Sequence, residues 1–193
     1  MFNVARSFIV AAIVAAGLVI MHQAPASAQL PPVPCDFITG GGFVVKPLGA
    51  RVNFGAHGGC KHGEFWGHVN VVDHGGFLGK TPYHIKSTQI TGYVQIGLNV
   101  RDICGIATTN ADEPQPVRFR VRMTDNGEPG TADRFGIRLS NTYLVISSLL
   151  EDGNIELHKP NPSTAGPDPV PDFDTMCAGV GAPVGGGGGP DAP

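Results

Sequence analysis

The stretch that most constrains the fold of this chain is residues 117–123. Val117, Phe119, Val121 and Met123 alternate strictly with Arg118, Arg120 and Arg122. A period of two sends successive side chains to opposite faces of an extended chain, so the segment predicts a strand with one buried and one wet face. Residues 134–140 repeat the pattern, with Phe135, Ile137 and Leu139 on one side and Arg134 and Arg138 on the other. A slip of one residue would turn every arginine inward, so the pairing of these two strands is strongly specified. Seven further segments read as strands: 36–46, 50–57, 64–73, 83–96, 103–109, 142–150 and 153–159. Gly, Pro, Asn and Asp punctuate them. Beyond the N-terminal apolar run, no window of ten or more residues carries a helical period. The expectation is an all-β chain, an antiparallel sandwich or barrel of about eight to nine short strands.

The two ends read differently. Arg6 precedes an apolar run of 14 residues from Phe8 to Met21, and Ala26-Ser27-Ala28 is a small-x-small cleavage site. This predicts a secretory signal peptide over 1–28, too short to span a bilayer of roughly 20 residues, and a mature chain that is secreted or held at the cell envelope. No later segment predicts a membrane span. The β-module is placed at 35–160. Residues 161–193 are rich in Pro and Gly and contain an unbroken glycine run, 185–189. Such a composition buries too little apolar surface to offset its ordering entropy, so a disordered spacer is expected, with Phe173 and Cys177 as the residues able to dock.

Cys35, Cys60, Cys104 and Cys177 follow the leader. An even number in an exported chain predicts two disulfides, and three pairings are open. The favoured one joins Cys60 to Cys104 and Cys35 to Cys177. With a net charge of −3 and no basic run, the chain offers no footprint for nucleic acid.

Four phrases, "ITGGGFV" (38–44), "GHVNVVDH" (67–74), "TDNGEPGTADRFGIRLSN" (124–141) and "GNIELHK" (153–159), occur in the same order as in the post-COAP domain, a β-module of exported bacterial proteins. The chain resembles that family over about residues 36–159, most specifically over 124–141. The resemblance implies export and a β fold. It implies no activity and no catalytic residues, and the four cysteines stand outside its pattern.

Four features are candidates for function. Asp125, Asn126, Glu128 and Asp133 crowd a ten-residue connection between the two best strands. Turn chemistry is the first reading: Asn126-Gly127 suits a hairpin, Pro129 and Gly130 suit the second and third places of a type II turn, and Asp125 can cap its own turn. Calcium is the alternative, since these oxygens could serve as ligands, although the spacing is not that of an EF-hand. Arg118, Arg120, Arg122, Arg134 and Arg138 would form one face, a solvated surface balanced by acids such as Glu156 or an anion-binding site. His57, His62, His68, His74 and His84 fall within 28 residues with Cys60 among them, a zinc or copper site or a set of surface histidines; His68 and His74 would lie roughly 20 Å apart along one strand, too far to share an ion, while His57 and His62 could meet around Cys60. Trp66, the single tryptophan, is a core or rim aromatic or, if it faces out near Tyr93 or Tyr143, a sugar platform. The glycines at 40–42 suggest a bulge or a close backbone approach.

Nucleophile-elbow, phosphate-loop and dinucleotide motifs are missing from the sequence. The function expected is therefore a secreted, monomeric, non-enzymatic β-module with a structural or binding role, its partner a cell-surface glycan or protein. A calcium-stiffened carbohydrate-binding module and, further off, a metal-dependent hydrolase are the alternatives.

Overall fold

The structure, a computed structural model, describes residues 35–111, 115–160 and 176–183. The predicted signal peptide, Phe173 and the glycine run lie outside the described residues. Every expected strand is present: β1 Phe37–Val45, β2 Arg51–Lys61, β3 Glu64–Asp73, β4 Tyr83–Gln95, β5 Val100–Thr109, β6 Val117–Thr124, β7 Arg134–Leu139, β8 Leu144–Leu149 and β9 Asp152–His158. They form one antiparallel sheet in the order β8-β7-β6-β5-β4-β3-β2-β1-β9, curled into a half-barrel.

The alternation that predicts the strands also dictates the curl. Every second side chain is apolar, and a single sheet can bury that face only by folding over it. Phe54 of β2 therefore stacks on Phe135 of β7, with ring centroids 3.8 Å apart. Gly58 of β2 meets Ile103 of β5, and Gly40 of β1 meets Met123 of β6 and Ile155 of β9. The approach expected at 40–42 is thus real, and β1 pairs with both neighbours without a bulge. Ile38, Val69, Val71, Ile85, Ile103, Val121, Phe135 and Ile137 are fully buried in this core. The register of β6 and β7 is the expected one, with Met123 opposite Phe135 and Arg120 opposite Arg138.

Polar clusters close the two ends of the core. At one, Asp36 accepts hydrogen bonds from Tyr93 Oη at 2.6 Å and Arg101 Nε at 2.9 Å. At the other, Asp73 Oδ2 accepts from Lys46 Nζ at 2.7 Å and Tyr143 Oη at 2.9 Å. Both carboxylates are thereby satisfied, which their burial requires.

β8 and β9 are successive parts of one extended stretch that changes partners at Leu150 and Glu151. Before the change it pairs with β7, and after it with β1. Leu150 N–H donates to Asp133 O and Glu151 N–H to Phe43 O, one bond to each neighbour. The connection between β6 and β7 lies along the edge of β9 that this change leaves open. It is a clasp rather than an exposed hairpin tip, and Asp133 is fully buried in it.

The disulfides join Cys35 to Cys60 and Cys104 to Cys177, with Cα separations of 5.8 and 5.2 Å. The expected pairing of Cys60 with Cys104 is therefore wrong, and with it Cys35 with Cys177. Cys60 faces the core, whereas Cys104 shares the outer face with Arg120, so the sheet itself lies between them. The register that sets Phe37 opposite Gly59 brings Cys35 to Cys60 instead. Cys177 secures residues 176–183 to the outer face of β4 and β5, where Met176 packs on Gly92 and its carbonyl accepts from Thr91 Oγ1 at 2.9 Å. This part of the tail is a docked strap, not spacer.

Candidate functional site

The outward face of β9, β1, β2 and β3 carries an aromatic and imidazole patch. The hairpin between β2 and β3 turns at His62 and Gly63, both with positive φ, and its register sets Gly59 opposite Trp66 and His57 opposite His68. Across the next ladders, Phe37 lies opposite Gly59 and His158 opposite Phe37. The bare backbone at Gly59 lets Phe37 and Trp66 lean together, ring centroids 5.8 Å apart, and His158 stacks on Phe37 at 4.3 Å. His57 lies 5.5 Å from Trp66 and 6.3 Å from His68. Trp66 therefore faces outward, as a platform requires, but its companions are Phe37 and the histidines. Tyr93 and Tyr143 point into the core.

A groove opens beside this patch. β3 and β4 pair only from Asn70–Lys86 to Asp73–Tyr83, after which β4 bulges at 87–89 and again at 90–92. The strands separate around a cavity of about 290 Å³, lined by Phe65, Trp66, His68, Ser87, Thr88 and Gln89 among others. Ser87 Oγ lies between the two strands, accepting Val69 N–H at 2.9 Å and meeting His68 Nδ1 at 3.0 Å. The indole N–H of Trp66 is buried without an acceptor among the described residues. Leaving such a donor unpaired costs about 1–3 kcal/mol, and the packing of the ring against Phe37 and His57 offsets it. Partial burial, and then the nearby His68, lower the pKa of His57, favouring its neutral ring.

The acidic loop has other work. Asp125 Oδ1 accepts Gly127 N–H and Asp125 Oδ2 accepts Leu157 N–H, each at 2.8 Å. Asp133 Oδ1 accepts Asn126 N–H at 2.7 Å and Oδ2 accepts Ile155 N–H at 2.8 Å. Each oxygen of the two carboxylates thus faces a backbone donor. Asn126 donates through Nδ2 to Ala132 O, and Glu128 accepts from Asn154 Nδ2. The self-capping turn at Asp125 is as expected. The second turn differs: Gly130 N–H closes on Gly127 O, so Pro129 holds its third place and Gly130 its fourth. Gly130 keeps the positive φ that its expected turn demanded, 83°, and a Cβ there would meet Asn154 Oδ1 at 2.5 Å.

The five arginines do share a face, but two of them do not look into solvent. Arg120 is buried, its Nε 2.6 Å from Asp102 Oδ2, and Arg122 Nε donates to Asp102 Oδ1 at 2.9 Å. The balancing acid is Asp102 of β5, not Glu156. Arg134 donates to Ser147 O, Arg138 lies beside Gly181 of the strap, and Arg118 is exposed. The histidines also sort differently from expectation. His57 meets His68 across a hairpin rather than His62 around Cys60. No protein-family model, curated protein or solved structure matches the chain.

Proposed function

We propose that this chain is an exported, non-enzymatic binding module that takes a neutral, polyhydroxylated ligand, a cell-surface glycan chain, in the groove between β3 and β4. The observation that carries this reading is the half-buried, outward-facing ring of Trp66 on a groove that also offers the exposed Thr88 and Gln89. Sugars present apolar ring faces and hydroxyl rims together, and an aromatic ring beside hydroxyl and amide groups matches both. The lining contains no carboxylate, which favours a neutral ligand over a cationic one. The leader-like N-terminus, the resemblance to the post-COAP domain and two disulfides support export.

A hydrolytic reading would start from the contact of Ser87 with His68. The ring across from His68 is another imidazole, His57, where a relay would want a carboxylate, and Ser87 Oγ is already tied to Val69 N–H. The contact therefore serves the binding reading better, as a brace for the groove.

The test is a titration of purified protein with cello-, xylo- and chito-oligosaccharides and with soluble peptidoglycan fragments, read by Trp66 fluorescence and calorimetry in a chelating buffer. At least one neutral series should bind; Gln89→Ala, at an exposed position, should weaken it at least tenfold without changing the unfolding midpoint, and Trp66→Ala should weaken it at least tenfold in protein that remains folded. Failure of every probe, or binding that survives Trp66→Ala, would sink the proposal. Binding confined to anionic fragments and lost in Arg118→Ala would move the site to the arginine face.

A further inference from the structure

We propose that His57 and His68 form a two-histidine chelate for a divalent transition-metal ion, Cu(II) above all, on the outer face of the hairpin formed by β2 and β3. The two residues stand directly opposite in the ladder. Cross-strand neighbours have Cβ atoms about 4.5–5.5 Å apart, close enough for two imidazoles to reach one ion. Metal–nitrogen bonds of about 2.1 Å in tetrahedral or square geometry set the ring centroids roughly 5 Å apart. The observed separation is 6.3 Å, and small side-chain rotations supply the difference.

A further feature prepares the pair. A histidine binds metal through one nitrogen when the other is held by a hydrogen-bond partner that fixes ring and tautomer. Ser87 Oγ lies 3.0 Å from His68 Nδ1, and when it accepts the Nδ1 proton, Nε2 is left as the metal-facing nitrogen. Among the described residues, no group of three or more His, Cys, Asp or Glu is placed to hold an ion. The site therefore stays open, with water in its other positions, and its affinity should follow the general order for nitrogen donors, Cu(II) above Ni(II) and Zn(II).

The protein carries its own reporter. Trp66 is the only tryptophan, and its ring lies 5.5 Å from that of His57. Cu(II) bound to the pair should quench its fluorescence saturably at one equivalent, with EDTA restoring the signal. Ni(II) should need more metal for the same effect, and Ca(II) and Mg(II) should do nothing. His57→Gln and His68→Gln should each shift the half-point at least tenfold while leaving the unfolding midpoint in place. Ser87→Ala should weaken binding by a smaller factor, and His62→Gln and His74→Gln should leave it unchanged. Quenching that persists in both His57→Gln and His68→Gln overturns the proposal. Should those variants unfold, electron paramagnetic resonance of the Cu(II)-loaded parent protein decides: coupling to imidazole nitrogen is required, and a spectrum of oxygen ligands alone overturns it. Because the glycan titration runs in a chelating buffer, the two proposals fail separately.

Discussion

Asp133 stands in for a strand: its Oδ2 accepts the N–H of Ile155 at 2.8 Å on an edge of β9 where β7 no longer reaches. Asp125 repeats the device one pair further along, taking Leu157 N–H. Two carboxylates thus cap an edge that would otherwise present open backbone donors.

Asp133→Ala should therefore destabilise the fold by roughly 1–3 kcal/mol for the buried N–H donor of Ile155 that it strands, and by less for that of the exposed Asn126. Denaturant unfolding measures this. Calcium should leave the melting temperature unchanged, because a cation would have to displace four N–H donors from the oxygens of Asp125 and Asp133. A rise with calcium that Asp125→Asn abolishes would restore the calcium-stiffened reading.

The strap at 176–183 depends on its cysteine. Replacing Cys104 and Cys177 by Ser should lower stability by about 2–4 kcal/mol, since the bridge closes a long loop, 73 residues in sequence separation. Protease should then cut near Met176 sooner than in the parent. An unchanged cleavage rate would mean that packing on Gly92 alone holds the strap.

How much of this was legible in the sequence follows from what alternation can and cannot say. Val117–Met123 fixes strand, face and register through chemistry inside the segment, and β6 and β7 are as read. The Cys60–Cys104 pairing is wrong because alternation within a strand does not relate its faces to those of another strand, and the two thiols end on opposite faces. The pair His57 and His68 was missed for want of a turn. Had His62-Gly63 been recognised as a two-residue hairpin, counting outward would have set His57 against His68 and Gly59 against Trp66. The clasp was illegible for another reason: Asp133 and Ile155 meet only because the chain changes partners at Leu150, which no local pattern announces.

The arginine face divides by burial. Asp102→Asn should cost about 3–5 kcal/mol, because it removes the fully buried carboxylate that Arg120 and Arg122 both bind. Arg118→Ala, at an exposed position, should change stability by no more than about 0.5 kcal/mol. Equal effects of the two substitutions would mean that the ion pairs around Asp102 do not hold in solution.

Two of the three core tyrosines set an alkaline limit. Burial raises the pKa of Tyr93 above its ordinary value, with the hydrogen bond to Asp36 and its charge adding to the shift. Burial and then the charge of Asp73 do the same for Tyr143. In the unfolded chain both phenols lose a proton near pH 10. Above that pH the unfolded state therefore binds fewer protons than the folded one, and stability falls as pH rises. The contribution is fully present below about pH 10 and drains progressively above it. The denaturation midpoint should accordingly be flat from neutral pH to about 10 and then drop, with the phenolate absorbance of Tyr93 and Tyr143 appearing only as the protein unfolds. In Tyr93→Phe the neutral-pH midpoint should be lower, since Asp36 loses a donor, while the alkaline slope should be shallower by one titrating group. Phenolate absorbance from all three tyrosines near pH 10 in still-folded protein would show that Tyr93 and Tyr143 are not sealed in the core, and that the polar clusters at its two ends admit water.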